Sequence, residues 1–389
     1  MTAPATWFVI TGASDYYWRV YGPARAIGGK VCAIPEEGGY FALTHENDDT
    51  VFPWKITDGD PGVSYPALEG TAVWTRPDLP RATHARAMKD LLGARIVAEV
   101  DDNYLADARQ NLFMRANNWD AQARTGHLKA VCSMDALVTT TAVLRDTYYR
   151  ALKDMFGRPL LPEFHVCDNH VFLDDWPQRI ERDGPLRVGW MGSTAHVWDI
   201  DLAWPAFMHA KNLGCETIVA GYNPADPEGF PIESNRAYNK ALQWRKTGIR
   251  ELPWKQLDGT QRLELPFDIG LCPLVHNDFT MGKSDIKAVE YTIAGAAVVA
   301  SASPVYTRNW VHGETCLIAS SPQQMLDHVD LLVKKPSLRE RLVRNAQQYV
   351  REERDMAKHA TEWEDAVGAQ ADLQGVQPAD RQVALRAGA

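Results

Sequence analysis

The chain has 389 residues, of which 45% are hydrophobic and 23% are charged, and its formal net charge at pH 7 is −9. The length suits two domains of about 170–190 residues each, and the composition is typical of globular proteins. The acidic balance excludes a general electrostatic attraction to nucleic acid or to anionic membranes, although a local basic cleft is compatible with it.

The six cysteines are widely spaced and form no C-x-x-C pair. This spacing is typical of reduced thiols in a cytosolic protein. We identify no signal peptide, no apolar run of about 18 residues and no internal repeat. We therefore expect a cytoplasmic protein that has no membrane span.

Strands and helices alternate in the first half of the chain. A strand and a Gly-containing turn are predicted for 7–13 (WFVITGA), followed by a helix within 16–27. A further predicted strand, 95–100 (RIVAEV), runs directly into Asp101 and Asp102. In open α/β sheets ligands lie at this edge, so either carboxylate is a candidate to accept a proton or a hydrogen bond from a hydroxyl. The alternative is turn formation by the Asp-Asp-Asn sequence.

A polar linker at 173–185 separates the two halves. The second half opens at 187–200 (RVGWMGSTAHVWDI) with a predicted strand, a glycine turn and a helix. Gly192 and Ser193 lie in the turn, where backbone N–H groups can bind an anion. His196 follows them, and Asp199 is placed to orient its ring, although a lone histidine is also compatible with a purely structural role.

The segment 267–301 is the most informative part of the sequence. A buried-type strand, 267–274, is followed by a polar loop, a helix from Ser284 onward and a second apolar strand, 297–300. This order favours a parallel sheet with a right-handed crossover. Gly295 lies where a residue with positive φ would end the helix.

Three charged residues of this segment share one helical face. Lys283, Lys287 and Glu290 are spaced at i, i+4 and i+7, and Ser284 lies at the helix start, where free N–H groups and the helix dipole attract anions. Glu290 lies about 9 Å further along the axis. The spacing therefore suits a nucleotide whose phosphates bind at the helix start. A capped surface helix with a Lys–Glu pair is the alternative interpretation.

The same stretch resembles the donor-site helix of the retaining, GT-B-fold glycosyltransferases of family 4. The family pattern is a glycine-rich loop, a helix with a Glu, and then A-x-G-x-P-V-V-A. Glu290 matches the second Glu of the family's E-x7-E motif, whereas Gly282 occupies the position of the first and Ala297 that of the usual Pro. The resemblance implies an α/β, GT-B architecture: two Rossmann-like domains whose parallel sheets face a central cleft.

The resemblance also implies roles for individual residues. Glu290 would bind the ribose of a nucleotide diphosphate sugar, and Tyr17 and Arg19 would lie on the acceptor side. The Arg and Lys that the family has beside the first glycine turn are absent, so other basic residues would neutralise the leaving phosphate. The candidate donor-binding residues are Gly192, Ser193, Ser284, Lys287 and Glu290. The candidate catalytic residues are Lys283, Lys287, Asp101, Asp102 and His196, and neither a metal nor another cofactor is required.

The predicted domains are an acceptor-side domain, 1–172, a nucleotide-sugar-binding domain, 173–352, and a segment, 353–389, whose helix returns to the first domain. Three functional hypotheses follow. The first is a retaining transferase whose acceptor is a glycan, a protein or a small molecule. The second is a transferase acting on a hydroxymethylated base in DNA, because the short form resembles glycosyltransferases common in bacteriophage genomes, which would work in the host cytoplasm. The third is a catalytically weak sugar-nucleotide binder.

The DNA hypothesis requires a basic, aromatic-lined cleft. Arg19, Arg76, Trp18 and Trp74 are its candidate residues. The sequence identifies neither the sugar, nor the nucleotide base, nor the acceptor.

Overall fold

The structure is a computed structural model, and the description below concerns residues 5–10, 17–34, 42–43, 70–77, 85–86, 89–90, 93–111, 114, 119–175, 184–193, 196–221, 243–244, 246–252 and 265–368. Within these ranges the chain forms two sheets. The α/β class predicted from the sequence is confirmed. No helix among these residues is both long enough and apolar enough to cross a bilayer.

The first sheet has, within the described ranges, seven strands in the order β3-β2-β1-β4-β5-β6-β7. Neighbouring strands are parallel except β2 and β3, which are antiparallel. The strands are β1 (Ala5–Ile10), β2 (Lys30–Ile34), β3 (Ala42–Leu43), β4 (Thr71–Thr75), β5 (Arg95–Val100), β6 (Ala136–Thr139) and β7 (Glu163–Val166).

The second sheet has six described strands in the order β10-β9-β8-β11-β12-β13, and all of them are parallel. Such sheets are covered by helices on both faces, which explains why the inner strands of this sheet are largely apolar. The strands are β8 (Arg187–Met191), β9 (Glu216–Ala220), β10 (Arg250–Leu252), β11 (Ile269–Cys272), β12 (Ala297–Ser301) and β13 (Leu317–Ala319).

The described α-helices lie mainly on the sheet faces. They are α1 (Gly22–Ile27), α2 (Ala121–Cys132), α3 (Ala142–Phe156), α4 (Val197–Asn212), α5 (Asp278–Met281), α6 (Ile286–Ile293), α7 (Pro304–Thr307), α8 (Pro322–Lys334), α9 (Pro336–Glu353) and α10 (Met356–Gly368). A π-helical turn, Tyr17–Tyr21, leads into α1. Side-chain caps start several helices, as Thr141 does for α3 and Ser321 for α8.

The unit β11–α6–β12 has the order expected from the sequence. Strands β11 and β12 pair in parallel, and Gly295 adopts a φ of 80° directly after α6, a conformation that glycine reaches without strain. The final helix, α10, lies against the first sheet: Trp363 is buried beside Trp7 at a ring-centroid distance of 5.8 Å. The Thr71 hydroxyl donates to the Val367 carbonyl at 2.7 Å.

The carboxyl ends of the two sheets meet. The segment that follows β5 contacts the loop that follows β11: Asn103 Nδ2 donates to the Asp278 carbonyl at 2.9 Å. Thr141 Oγ1, which follows β6, donates to the Gly282 carbonyl at 3.1 Å. Ligands of parallel sheets lie at this edge, so the site is sought there.

Candidate functional site

Lys283 and Asp102 lie in segments that follow strands of different sheets, and they form an ion pair. Lys283 Nζ lies 2.8 Å from Asp102 Oδ1, and both side chains are largely buried. The same ammonium lies 4.7 Å from the centre of the Phe279 ring, a cation–π contact. Two residues that the sequence marked separately are therefore in direct contact.

Lys287 is held by a chain of hydrogen bonds that begins at the backbone. The Val275 N–H donates to Asp199 Oδ1 at 2.7 Å, and Asp199 Oδ2 lies 2.6 Å from His196 Nδ1. Since Nδ1–H donates to Asp199, the other ring nitrogen, Nε2, is free to accept from Lys287 Nζ at 3.3 Å. Asp199 thus selects the His196 tautomer whose Nε2 accepts a hydrogen bond from Lys287.

The electrostatics of this chain of bonds favour a neutral imidazole. Burial and the nearby Lys287 ammonium lower the pKa of His196 to about 4, against the opposing effect of Asp199. Burial and the neighbouring Lys283 also lower the pKa of Lys287. The two lysines repel one another, so a bound anion would relieve an existing electrostatic cost.

Glu290 lies on α6 and is only 6% exposed. Burial raises the pKa of its carboxyl to about 8, while Lys287 and a hydrogen bond from the Trp18 side chain act in the opposite direction. Trp18 belongs to the π-helical turn of the first domain. The carboxyl that the sequence analysis assigned to ribose is therefore bonded to a side chain from across the cleft.

The glycine turn differs from the expectation. The Gly192 N–H donates to the Ala220 carbonyl at 3.0 Å, so this amide is not available to an anion. A Cβ at Gly192 would lie 2.5 Å from the Trp190 ring, so packing accounts for this glycine. Ser193 is exposed beyond it.

The start of α6 is also engaged by the chain itself. Ser284 Oγ accepts a hydrogen bond from Asn169 Nδ2 at 2.7 Å. Asp285 accepts from Trp310 Nε1 at 2.8 Å and forms a short ion pair with Arg354. The sequence analysis gave no role to Arg354, which also pairs with Asp168 at 2.5 Å.

Asp101 points to a different partner from Asp102. Its two oxygens accept from Arg76 at 3.0 and 2.6 Å, and one accepts from Tyr104 Oη at 3.2 Å. Burial opposes its charge, but Arg76, Lys283 and Arg19 together lower the pKa of Asp101. Of the two carboxylates, Asp102 is the one that contacts the second domain through Lys283.

The structure does not place Arg19 or Tyr17 on an acceptor surface. Arg19 is 0% exposed, and its guanidinium donates to Glu99 and to the Cys167 carbonyl at 2.6 Å each. Tyr17 is buried, and its hydroxyl donates to Asp175 at 2.8 Å. In this structure neither side chain is exposed to an acceptor.

The cleft residues suggested for DNA binding are not assembled as an exposed basic surface. Trp18, Trp74 and Arg19 are buried, and Arg76 is paired with Asp101. Their geometry gives the DNA hypothesis no support.

Within the described ranges, one cluster combines metal-ligand types: His170, His359 and Glu362. The two imidazoles stack at 3.9 Å with an interplanar angle of 5°, and both donate toward Glu362, at 3.0–3.2 Å. Because the ring planes are parallel and separated, one ion cannot lie in both of them. We interpret the cluster as a hydrogen-bonded link between the domain crossing and α10.

Comparisons with known proteins agree with this geometry. Residues 263–365 match a family model described as glycosyl transferase-like. The chain is 28% identical over 229 residues to the O-antigen biosynthesis protein RfbC of Myxococcus xanthus, an alignment that includes 54% of this chain. It spans only 16% of the length of that relative.

Solved structures resemble the whole fold. Sucrose-phosphate synthase of Thermosynechococcus elongatus has a TM-score of 0.61 at 10% identity, covering 92% of this chain and 97% of its own. HepE of Anabaena, solved with UDP, has a TM-score of 0.58 at 9% identity, covering 92% and 98%. A TarM variant of S. aureus, also solved with UDP, has a TM-score of 0.54 at 11% identity, and the match covers 77% of this chain and 55% of TarM. The chain therefore has the GT-B fold and is glycosyl transferase-like over residues 263–365.

Proposed function

We propose that the protein is a glycosyltransferase that moves a sugar from a nucleotide diphosphate sugar to an acceptor hydroxyl, with retention of configuration. The observation that carries the proposal is the grouping of Lys283, Lys287 and Glu290 where the second sheet faces the first. The glycosyl transferase-like match covers the same residues, and HepE and TarM, which share the fold, were solved with UDP.

The proposed roles follow from charge and position. Lys283 and Lys287 neutralise the diphosphate as its bond to the anomeric carbon breaks, and Ser284 donates to a phosphate oxygen. Stabilising this leaving group is the main catalytic contribution, as is common when charge develops in a transition state. Glu290 accepts from ribose hydroxyls, and the chain from Val275 through Asp199 and His196 positions Lys287.

Asp102 is the proposed contact for the acceptor. Its carboxylate lies beside Lys283, at the point where the two sheets meet. The acceptor oxygen forms the new bond to the anomeric carbon, and its proton passes to the departing phosphate while Asp102 orients the hydroxyl. We propose a glycan, a protein or a small molecule as the acceptor, since RfbC is named for O-antigen biosynthesis, and the cytoplasm as the compartment. The mechanism requires no metal.

A thermal-shift screen of UDP, GDP, ADP and their sugar derivatives tests the donor site. A ligand at 100 times its Kd adds about 2.7 kcal/mol to the unfolding free energy. Glu290→Gln and Lys287→Met should lose this stabilisation, whereas Lys358→Met, an exposed lysine of α10, should keep it. If no nucleotide stabilises the unsubstituted protein, the proposal is wrong.

Turnover and stereochemistry test the remaining steps. Release of nucleoside diphosphate in the presence of acceptors separates a transferase from a catalytically weak binder. Proton NMR of the newly formed glycoside reports its anomeric configuration, and inversion would contradict the proposed class. Salt-sensitive binding to DNA would instead support a DNA acceptor.

A further inference from the structure

Two side chains of the first domain occupy hydrogen-bonding positions on the proposed donor residues. Asp102 pairs with Lys283 at 2.8 Å, and Trp18 donates a hydrogen bond to Glu290. They come from separate elements, the segment after β5 and the turn before α1. The two contacts are therefore independent observations of the same relationship between the domains.

Each contact reproduces the chemistry of one part of a nucleotide. A carboxylate on Lys283 supplies the negative charge that a phosphate would supply, and it accepts from the same ammonium. The indole N–H on Glu290 supplies the hydrogen-bond donor that a ribose hydroxyl would supply. Lys283 and Glu290 therefore each have a partner in the absence of ligand, which keeps the free-energy cost of burying them low.

The chain beside Lys283 is also packed against residues that follow β5 and β6. The Gly282 carbonyl accepts from Thr141, and a Cβ at Gly282 would lie 3.1 Å from Leu144 and 3.3 Å from Asn103. Glu290 is 6% exposed. A nucleotide that binds Lys283 and Glu290 must therefore take the places of Asp102 and Trp18.

We propose that the first domain blocks its own donor site, with Asp102 standing in for a phosphate on Lys283 and Trp18 standing in for a ribose hydroxyl on Glu290. The inference rests on the proposed function and adds an order of events. The donor binds first and displaces both side chains. Asp102 is then released from Lys283 and becomes free to bind the acceptor hydroxyl, so the acceptor contact forms only when the donor is in place.

Calorimetric titration of the full chain with inorganic pyrophosphate and with UDP tests the contact at Lys283 and the contact at Glu290 separately. Asp102→Asn keeps the shape of the side chain and removes its charge, and Trp18→Phe removes the indole N–H. The matched controls are Asp107→Asn, whose carboxylate pairs with Arg109 at the surface, and Trp7→Phe, whose buried Nε1 has no hydrogen-bond partner.

Asp102→Asn should strengthen the binding of both pyrophosphate and UDP. If the blocked form makes up about 90% of the ligand-free protein, the gain is about tenfold. Trp18→Phe should strengthen UDP binding and leave pyrophosphate binding unchanged. Neither control should change either affinity.

Other outcomes would overturn it. Unchanged or weaker pyrophosphate binding by Asp102→Asn would show that Asp102 does not compete with the anion, while the proposed function would stand because the unsubstituted chain binds UDP. Failure of every protein to bind UDP, GDP and ADP alike would overturn both. Asp102 is partly exposed, so its arm of the test remains decisive even if Trp18→Phe does not fold.

Discussion

Arg354 forms an ion pair with Asp285, the residue at which α6 begins, and both side chains are almost completely buried. A second nitrogen of the same guanidinium pairs with Asp168. Arg354 lies directly after α9, and Asp168 lies two residues after the end of β7. The start of the proposed phosphate-binding helix is thus fixed to both segments that pass between the domains.

Removal of this guanidinium should be strongly destabilising. Arg354→Met leaves the buried Asp285 carboxylate without its cation, and breaking a buried pair costs about 3–5 kcal/mol. Urea unfolding measures the change, and Arg351→Met, an exposed arginine of α9, is the control. A loss no larger than that of the control would contradict the assignment.

The buried carboxyl of Glu290 should make stability depend on pH. An unfolded glutamate ionises near its ordinary pKa of 4.5, whereas Glu290 keeps its proton to about pH 8. The unfolded state therefore loses the proton first, and the unfolding free energy falls as pH rises between these values, by about 1.4 kcal/mol per pH unit.

In the Glu290→Gln variant the unfolding free energy should not decrease in this way as pH rises. Its stability relative to the unsubstituted protein should therefore increase from pH 4.5 to pH 8 and then remain constant. Denaturant unfolding across this range measures the difference, with the exposed Glu340→Gln as control. Parallel stability profiles for the two proteins would show that Glu290 is not buried in the way described.

His196 should matter for donor binding through Lys287. His196→Ala removes the acceptor at 3.3 Å that positions the ammonium, and the loss of one such bond costs about 1 kcal/mol, or about fivefold in UDP affinity. His209→Ala is the control, because His209 lies on the same helix but pairs with Asp330 at 2.8 Å. Equal UDP affinities for the two variants would argue against a positioning role.

Arg19 should affect stability far more than a surface arginine does. Its partner Glu99 is fully buried, so Arg19→Met should cost about 3–5 kcal/mol. Arg25→Met breaks a partly exposed pair with Asp175 and should cost less than about 1 kcal/mol. Thermal unfolding compares them, and similar melting temperatures would contradict the buried position of Arg19.

The parts of this structure that were predictable depend on local periodicity. The spacing of Lys283, Lys287 and Glu290 follows directly from 3.6 residues per turn, and Gly295 ends α6 because its φ is positive. Strands β11 and β12 are short apolar runs joined through a helix, so their parallel pairing was also accessible from the sequence.

Other features depend on partners far away in the chain. Arg19 faces inward because Glu99, 80 positions later, lies opposite it, and no local pattern shows this. The Gly192 amide binds Ala220 across neighbouring strands, which requires the strand order. The role of Arg354 depends on two carboxylates that are 69 and 186 positions away.

The two segments that pass between the domains also bond to each other. The Val171 N–H donates to the Arg354 carbonyl at 2.9 Å, and the Met356 N–H donates to the Val171 carbonyl at 3.0 Å. These bonds, like the ion pair between Arg354 and Asp285, involve neither Asp102 nor Trp18. The displacement of Asp102 and Trp18 that we propose therefore leaves the start of α6 held by Arg354.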